Sequence, residues 1–481
     1  MKLQNVLLLV GLTLALAALG LIIANANAQT VTNLHIFLGN DGADPQAGLV
    51  QGNDGNFYGT TYYGGSFNKG TVFRISPSGS FTNIYSFGGS DGSNPSAALA
   101  QGNDGNFYGT TYGGGASTSC SGPTIVLPTV GCGTVFRITP SGSLTTLYSF
   151  TGGSDGADPW AGLVQGSDGN FYGVTVIGGT NGAGTVFRIS PSGVFTDLYS
   201  FTGGSDGGNP VGGLVQGNDG NFYGTTVGGG TNGEGTVFQI SPDGTLTTLH
   251  AFNNNDGSAP TAELAQGTDG NFYGATIRGP LSPYLGTVFR ISPSGNFTSL
   301  HQFTGAGDGC EPWAGLVQGS DGNFYGTTYL PYDVETGNGT LFRISPSGNF
   351  TNLYSFPGAP GFGADPVGGL VQGTDGNFYG TAAYGGGDLR GNIFKLSVPL
   401  SPPANQIAGC QFLNVFDSTY AAFLIPSVAG ETYQLQYTDS MDSTNWINSG
   451  DPISSIGGPL TAVGFLEPMT PQRFYRFAIT P

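Results

Sequence analysis

The chain is built from short apolar stretches that are separated by Gly, Asp, Ser and Pro. One unit contains four such stretches: residues 161–165, which end in Gln, residues 170–175, a TVFRIS segment, and a segment of the type FTNLYSF. Val, Ile, Phe, Tyr and Thr favour strands, whereas Asp-Gly and Pro-Ser-Gly favour tight turns. The pattern therefore predicts four antiparallel strands in each unit.

The hexapeptide DGNFYG marks this unit and recurs along the chain. It occurs seven times, starting at Asp54, Asp104, Asp168, Asp219, Asp269, Asp321 and Asp375. The successive spacings are 50, 64, 51, 50, 52 and 54 residues. Self-similarity at this period indicates an array of modules that bury their faces against their neighbours. Four antiparallel strands repeated radially are typical of the blades of a β-propeller.

The two ends of the array indicate a closed ring. The seventh unit has its third strand at residues 392–397 but no fourth strand before Val398 and Pro399. Residues 30–37 match the fourth strand and precede the first complete unit. A linear array would leave both ends as open sheet edges, whereas ring closure pairs them. The sequence thus predicts an all-β, seven-bladed propeller over residues 29–397 that is closed by its N-terminal strand.

The segments outside the repeat predict export and a second domain. Lys2 precedes an apolar stretch over residues 6–24, and Ala26-Asn27-Ala28 fits a signal-peptidase site, so residues 1–28 are predicted to be a signal peptide. No later stretch has the roughly 18 apolar residues needed to span a bilayer. We therefore expect a secreted protein, periplasmic or extracellular, without membrane insertion. A Pro-rich linker over residues 398–403 leads to residues 404–481, which fit a small immunoglobulin-like or fibronectin-like β-sandwich.

The net charge of -18 argues against nucleic acid and anionic membranes as partners, because both bind clustered Lys and Arg. Much of the acidity lies in the DGNFYG and DGxxP segments, where Asp-Gly favours tight turns. Pairs such as Asp41 with Asp44 and Asp155 with Asp158 are potential Ca²⁺ ligands as well. Other units carry Asn or Ala at the second position of the pair. A turn role is therefore favoured over calcium binding, and we expect no cofactor.

The chain has four cysteines, and they predict one local disulfide. Cys120 and Cys132 flank an insertion, and in an oxidising compartment we expect them to pair. Cys310 and Cys410 remain. They either link the array to the C-terminal segment or stay unpaired, and their spacing does not decide between the two.

Three blocks, DGNFYGTT, GTVFRISPSG and LYSF, recur in this order and resemble the GloVer tandem-repeat family of secreted bacterial proteins over about residues 34–397. This resemblance implies export and repeated β-structure, without known catalytic residues. The tail, with GETYQLQYTDSMDSTNWIN and PQRFYRF, resembles the fibronectin-like sandwich that ends many verrucomicrobial secreted proteins. The DGN and PSG hairpins are distantly similar to the propeller of the virginiamycin B lyases. That similarity implies a central metal held by His and acidic residues.

Two sets of polar residues are predicted to be structural. His35, His250 and His301 all occupy the Tyr position of the LYSF segment, which belongs to the outermost strand. They therefore cannot converge on a central metal, and we expect them to replace Tyr. A Gln ends the first strand of every unit. Hydrogen bonding between blades is predicted for this set, and a polar channel is the alternative.

The candidate binding residues belong to loops that are expected on one face of the ring. In a propeller the variable loop between the second and third strands shares a face with the DGxxP connections, and variable loops on a rigid scaffold often carry function. The candidates are Trp160, Trp313, Tyr62, Tyr112, Tyr284, Tyr329, Arg278 and Arg390. Amphipathic aromatic rings suit a half-wet platform for sugars or a partner protein. Simple packing beneath the loops is the alternative for these aromatic residues.

Glu263 and Glu311 stand near the same rim and are the candidate acid/base pair for glycoside chemistry. Nothing in the sequence indicates that their separation suits that chemistry. We therefore predict an exported, non-catalytic binding or surface-structural protein whose partner is a glycan or an extracellular protein. The alternative is a propeller lyase or glycan-cleaving enzyme that uses Glu263 and Glu311.

Overall fold

Each of the seven repeat units folds into a four-stranded antiparallel sheet, and the seven sheets are the blades of a closed propeller. The computed structural model describes residues 30–117, 120, 131–280, 285–305, 307–329, 339–357, 363–385 and 389–397, and in the C-terminal unit residues 409–415, 418–427, 432–438, 447–448, 453–454, 458–465 and 474–480. All elements within these residues are strands, and none is a helix that could cross a bilayer. The predicted all-β propeller is confirmed.

The strands follow the order of the repeat. The chain starts with β1 (Thr30–Ile36), which belongs to blade 7. Blades 1 to 3 comprise β2 (Val50–Gln51), β3 (Phe57–Thr61), β4 (Thr71–Ile75), β5 (Phe81–Ser86), β6 (Ala100–Gln101), β7 (Phe107–Thr111), β8 (Thr134–Ile138), β9 (Leu144–Ser149), β10 (Val164–Gln165), β11 (Phe171–Thr175), β12 (Thr185–Ile189) and β13 (Phe195–Ser200). Blades 4 to 6 comprise β14 (Val215–Gln216), β15 (Phe222–Thr226), β16 (Thr236–Ile240), β17 (Leu246–Ala251), β18 (Ala265–Gln266), β19 (Phe272–Thr276), β20 (Thr287–Ile291), β21 (Phe297–Gln302), β22 (Val317–Gln318), β23 (Phe324–Thr328), β24 (Thr340–Ile344) and β25 (Phe350–Ser355). Blade 7 comprises β27 (Val371–Gln372), β28 (Phe378–Ala382), β30 (Asn392–Ser397) and β1, and β26 (Gly363–Ala364) pairs with β29 (Tyr384–Gly385) beside it.

The N-terminal strand closes the ring as predicted. β1 pairs antiparallel with β30 from Thr30 opposite Ser397 to Ile36 opposite Asn392. The amide of Phe37 continues the contact by donating to the carbonyl of Gly391 at 3.1 Å. Phe37 is fully buried. The strand therefore supplies both the edge pairing and a core side chain that the seventh repeat lacks.

The first strand of each blade is shorter than the sequence pattern predicts. Residues 161–165 were expected to form it, whereas the ladder of β10 contains Val164 and Gln165 alone. The segment before the ladder runs close to its neighbour, since a Cβ added to Gly162 would lie 2.8 Å from the carbonyl oxygen of Ala98. We call the residues that precede the first strand of each blade its inner segment. The inner segments of adjacent blades thus contact each other instead of extending the strand.

Contacts between neighbouring blades explain the repeated hexapeptide. The Tyr ring of each DGNFYG segment packs on the Phe ring of the next one, with centroids 3.8–4.2 Å apart all round the ring. Each Tyr hydroxyl donates to the Asp of its own segment at 2.7–2.9 Å. The final Gly is required because a Cβ on Gly59, for example, would lie 2.6 Å from the ring of Phe73. The hexapeptide is therefore a packing and turn unit.

The Gln at the end of each first strand connects adjacent blades, which confirms the structural interpretation of this set. In blade 4, the amide of Gln216 donates to the carbonyl of Gly220, and its oxygen accepts from the backbone N–H of Ser167 in blade 3. The inter-blade bond recurs at all seven junctions with lengths of 2.9–3.1 Å. We call the end of the ring that carries these bonds, together with the DGN and PSG turns, the turn face. The opposite end, with the DGxxP connections and the variable loops, is the loop face.

The chain divides into two compact units, Met1–Val398 and Pro399–Pro481. The second unit contains two antiparallel sheets, and their packing into a β-sandwich stays a prediction. Its strands are β31 (Gly409–Val415), β32 (Ser418–Ser427), β33 (Thr432–Thr438), β34 (Ile447–Asn448), β35 (Ile453–Ser454), β36 (Gly458–Phe465) and β37 (Phe474–Thr480). β31, β32 and β36 form one sheet, and β33 with β34, β35 and β37 forms the other. The predicted signal peptide and Pro-rich linker lie outside the described residues.

Candidate functional site

A cavity of about 300 Å³ lies on the loop face, where the inner segments of all seven blades converge. Each blade contributes the residue that follows the Pro of its DGxxP connection. These residues form the first lumen ring, which consists of Gln46, Ser96, Trp160, Val211, Thr261, Trp313 and Val367. Asp44, Tyr329, Ala383 and Tyr384 complete the wall. The convergence of one repeated position from every blade places this cavity at the mouth of the central lumen.

The backbone before each of these prolines has a left-handed conformation. The residue has φ between 51° and 56° in all seven blades, at Asp44, Asn94, Asp158, Asn209, Ala259, Glu311 and Asp365. Asn and Asp tolerate this region, whereas Ala259 and Glu311 occupy it at a cost. The repeated turn directs the Pro and the following side chain inward. Strained backbone of this kind often surrounds binding sites, because the surrounding structure has to hold it in place.

An Asn in this left-handed position donates a hydrogen bond to the preceding blade, which an ionised Asp cannot do. The amide of Asn94 donates to the carbonyl of Tyr62, and that of Asn209 donates to the carbonyl of Val176, in each case in the preceding blade. Asp158 occupies the equivalent position and its Oδ1 is buried without a hydrogen-bond partner. Burial raises the pKa of Asp158 to about 6. The same cause, with the nearby charge of Asp44, raises the pKa of Asp365 to about 6.

Trp160 lines one side of the cavity and is supported by tyrosines from behind. Its ring centroid lies 5.1 Å from that of Tyr112 and 6.3 Å from that of Tyr62. Tyr62 and Tyr112 are buried, with 8% and 5% of their surface exposed, and neither lines the cavity. The structure therefore brings Trp160, Tyr62 and Tyr112 together, with the two tyrosines packed beneath the tryptophan.

Trp313 is the more open of the two cavity tryptophans. It is 39% exposed, and its indole N–H donates to the Glu311 carboxylate at 3.2 Å. Its ring centroid lies 6.5 Å from that of Tyr329, which also lines the cavity. Tyr384, which is 48% exposed, adds an aromatic side chain that the sequence analysis did not single out. Its position two residues after the second strand of blade 7 is the equivalent of Tyr63, so alignment of the units would have indicated it.

Glu263 lies inside the lumen, one step beyond the first lumen ring. The positions two residues after the first ring form a second lumen ring of Gly48, Ala98, Gly162, Gly213, Glu263, Gly315 and Gly369. In this ring Glu263 is exposed, Gly213 is buried and the other five are partly exposed. Six of these residues are Gly or Ala, and Glu263 alone has a long side chain. A Cβ on Gly213 would lie 3.2 Å from the Glu263 Oε2, so the carboxylate lies beside the neighbouring blade. Enclosure by protein raises the pKa of Glu263 to about 7, although the side chain stays accessible to solvent in the lumen.

The remaining candidates lie away from the cavity. Arg278 and Arg390 are exposed on loops of blades 5 and 7, and neither lines the cavity wall. Tyr284 lies outside the described residues. Glu263 and Glu311 belong to adjacent blades, but Glu263 is in the second lumen ring while Glu311 is in the left-handed turn and accepts from Trp313. The structure therefore assigns the two glutamates to different environments.

The histidines have the structural role that was predicted. His35, His250 and His301 contact the Asp of the following DGxxP connection at 3.0–3.2 Å, as the Tyr199 hydroxyl does with Asp206 at 3.0 Å. Burial lowers the pKa of all three rings. Within the described part of the chain, no three His, Cys, Asp or Glu residues are placed to hold a metal ion.

Cys120 and Cys132 form the predicted disulfide, at the base of the longest insertion on the loop face. Gly152 of the same blade junction lies against it, since a Cβ on this residue would be 2.7 Å from the sulfur of Cys120. Cys310 is buried. The two alternatives for Cys310 and Cys410, a bridge or unpaired thiols, stay open, because the side chain of Cys410 lies outside the described part of the structure.

Known structures resemble this chain at the level of the fold. A candidate 6-phosphogluconolactonase from Bacteroides uniformis matches with 14% identity and a TM-score of 0.46, over 86% of this chain and 100% of its own. An ulvan lyase of polysaccharide lyase family 25 matches with 10% identity and a TM-score of 0.42, over 80% of this chain and 92% of its own. A gluconolactonase from Xanthomonas campestris matches with 13% identity and a TM-score of 0.34, over 55% and 79%. Similarity at this level carries no argument about activity.

The sequence comparisons identify the repeat. No curated protein matches the chain. The Gloeobacter/Verrucomicrobia repeat, in contrast, matches residues 19–125, 120–306 and 245–429, which together include all seven blades. The chain therefore belongs to the Gloeobacter/Verrucomicrobia repeat family.

Proposed function

We propose that the protein is an exported, non-catalytic binding protein that takes a carbohydrate unit into the loop-face cavity. The observation that carries this proposal is the first lumen ring, in which two of seven equivalent positions are tryptophans that face a common cavity. Aromatic faces stack on the apolar faces of sugar rings, and their bodies suit half-wet surfaces. The predicted signal peptide supports export.

The chemistry of the cavity suits a polar ligand of sugar size. Its volume of about 300 Å³ falls at the lower end of ligand pockets, which run from about 300 to about 1,000 Å³. Gln46, Ser96 and Thr261 place amide and hydroxyl groups between the aromatic walls. A few polar groups in a largely apolar wall are the usual means of orienting a bound molecule. A cavity of this size would accept one terminal unit of a glycan rather than a long chain.

A glycan array tests the proposal. The mature chain, residues 29–481, is compared with a Trp160→Ala, Trp313→Ala double variant that melts normally. Phe67→Ala is the matched control, because Phe67 is an exposed aromatic residue, 63% accessible, that does not line the cavity. We expect binding by the wild type and by Phe67→Ala and loss of binding in the double variant. Equal binding by all three proteins would place the ligand elsewhere, and no binding by any of them would favour a protein partner.

Glu263 supports a second candidate function, a lyase or glycan-cleaving activity. A carboxyl with a pKa of about 7 is suited to general acid or base work at neutral pH. Glu311 is the sequence-based partner, but its carboxylate is engaged by the indole of Trp313. This candidate predicts product formation from a glycan that is lost in Glu263→Gln. Binding without turnover by the wild type would contradict it.

A structural role in the cell envelope is the remaining alternative. It predicts self-association of the purified protein, measured by sedimentation velocity, and no response to small ligands. Trp160→Ala, Trp313→Ala would then leave the association unchanged. A monomer that binds a glycan would contradict this alternative.

A further inference from the structure

The lumen beside the cavity contains a carboxylate that forms no ion pair with any residue in the described part of the chain. Glu263 is the sole charged residue of the second lumen ring, where the other blades have Gly or Ala. Its carboxylate lies against Gly213, which offers no side chain. Thr261, two residues earlier on the same segment, lines the cavity, and two residues of extended chain span about 7 Å. The Glu263 side chain therefore lies within reach of a ligand that fills the cavity.

The cavity wall carries negative charge, as Glu263 does. Asp44 lines it, and the Asp44 Oδ1 is buried without a hydrogen-bond partner while Oδ2 accepts from Gln46. The charge of Asp44 is the main cause that raises the pKa of Tyr384. Burial raises the pKa of Tyr329, and the carboxylates of Asp365, Glu311 and Asp44 add to that effect. Several carboxylates thus act on the aromatic side of this cavity.

Basic side chains do not compensate these carboxylates. Among the residues that the structure describes, no Lys or Arg lines the cavity. Lys69 donates to the carbonyl of Gly88, the guanidinium of Arg390 lies beside Gly39, and neither side chain lines the cavity. The Arg side chains of the third strands belong to the blades rather than to the inner segments. A bound cation would meet no repulsion from these groups at close range.

Aromatic faces combined with uncompensated carboxylates recognise cations. An ammonium group is attracted to the faces of Trp and Tyr and forms charge-assisted hydrogen bonds with carboxylates. We propose that the cavity selects a sugar that bears a free, protonated amino group, with the ammonium directed towards Glu263 and the ring against Trp160 or Trp313. This inference rests on the proposed carbohydrate binding and adds the class of sugar. Uronic acids and sulfated sugars are disfavoured at the same site, because like charges repel.

Isothermal titration calorimetry of residues 29–481 tests this selectivity. The probes are D-glucosamine, N-acetyl-D-glucosamine, D-glucuronic acid and trimethylammonium. We expect D-glucosamine to bind at least about 10-fold more tightly than N-acetyl-D-glucosamine, since a hydrogen bond between an ammonium group and a carboxylate is stronger than one between neutral groups. D-glucuronic acid should not bind. Glu263→Gln should remove the preference for D-glucosamine, and Asp44→Asn should weaken it at the cavity wall.

Glu234→Gln is the matched control. Glu234 lies on a loop of the same face, bonds Asn254 and does not line the cavity, so this substitution removes an equal charge outside the site. It should leave the affinity for D-glucosamine unchanged. Equal affinity of the wild type for the amino sugar and the acetylated sugar, or an unchanged preference in Glu263→Gln, would overturn the charge selectivity and leave carbohydrate binding intact. Binding of trimethylammonium without any sugar would retain the cation site and reject the carbohydrate, whereas no heat with any probe would reject both.

Discussion

The two faces of the propeller use the same repeat in opposite ways. On the turn face every blade makes the same contacts: a Tyr–Phe stack, a Tyr–Asp hydrogen bond and an inter-blade hydrogen bond that the terminal Gln accepts from a backbone N–H. On the loop face, equivalent positions differ from blade to blade, so the first lumen ring contains Gln, Ser, Trp, Val and Thr. Uniform contacts stabilise the ring, whereas different side chains at equivalent positions create one asymmetric cavity. Symmetry at one end thus permits specificity at the other.

The largest effect should come from opening the ring, on which both faces depend. Deletion of residues 30–37 removes β1, exposes the edge of β30 and leaves the core position of Phe37 empty. Loss of a buried Phe alone costs about 3–5 kcal/mol. We therefore expect the melting temperature, measured by differential scanning calorimetry, to fall by more than about 10 °C, or cooperative unfolding to disappear. An unchanged melting temperature would contradict closure by this strand.

Substitution of the turn-face Gln should lower the unfolding free energy by the same amount in different blades. Gln216→Ala removes the bonds to Gly220 and Ser167, and Gln165→Ala removes the equivalent bonds one blade earlier. Each variant should lose about 2 kcal/mol of unfolding free energy in urea titrations, at about 0.5–1.5 kcal/mol for each hydrogen bond. Val211→Ala, on the loop face, is the control and should cost less. A difference of more than about 1 kcal/mol between the two Gln variants would break the uniformity of this face.

The stability of the fold should depend on pH through the acidic residue in the left-handed position of the loop face. Burial raises the pKa of Asp158 from its ordinary value of 3.8 to about 6, so the folded protein binds this proton more tightly than the unfolded chain does. The wild type therefore loses stability as the pH rises through about 6. Asp158→Asn provides the amide that Asn94 and Asn209 use, and it should stabilise the protein by about 1 kcal/mol at pH 8 with little effect at pH 4.

The reverse substitution, Asn209→Asp, is the control for this prediction. It should destabilise the protein at pH 8 and much less at pH 4, because the introduced carboxylate loses the bond to the Val176 carbonyl. Urea titrations at both pH values measure the difference. A pH-independent effect of both variants would show that charge at this position does not matter.

The smallest effect should come from exchanging equivalent residues of the outermost strand. His301 contacts Asp308, and at the equivalent position of another blade Tyr199 contacts Asp206. His301→Tyr therefore introduces the residue that already occupies this position elsewhere in the ring. His301 stacks on Phe350 with ring centroids 4.0 Å apart, and Tyr199 makes an edge contact with Phe201 at 5.4 Å. The change in unfolding free energy should stay within about 0.5 kcal/mol. A loss of several kcal/mol would indicate a role for His301 beyond the replacement of Tyr.

The fold followed from the sequence because every blade repeats the same local signals. The Asp-Gly and Pro-Ser-Gly turns, the TVFRI strand and the unmatched segments at both ends were sufficient to predict seven blades and the closing strand. The length of the first strand was overestimated, since Gly162 and its equivalents approach a neighbouring blade instead of continuing the ladder. Such contacts arise only when the blades are assembled around the axis.

The site was predicted in part. Trp160 and Trp313 were predicted to be binding residues, but the convergence of all seven equivalent positions on one cavity requires the three-dimensional ring. Their expected place near the same rim made Glu263 and Glu311 a candidate pair, whereas the structure puts Glu263 in the lumen and Glu311 in the left-handed turn. The unpartnered Oδ1 of Asp158 was also invisible in the sequence, because it depends on a carbonyl of the preceding blade.

The closing strand also determines when the molecule becomes complete. Asn33 and Asn392 form a hydrogen bond across a sequence separation of 359 residues. The first strand therefore cannot pair before the seventh blade has been synthesised. Contacts of such long range are slow to form, and unpaired strand edges in the waiting chain promote aggregation. A chain that stops before residue 392 would retain six blades with an unpaired N-terminal strand. Completion of the ring therefore requires the full length of the repeat array.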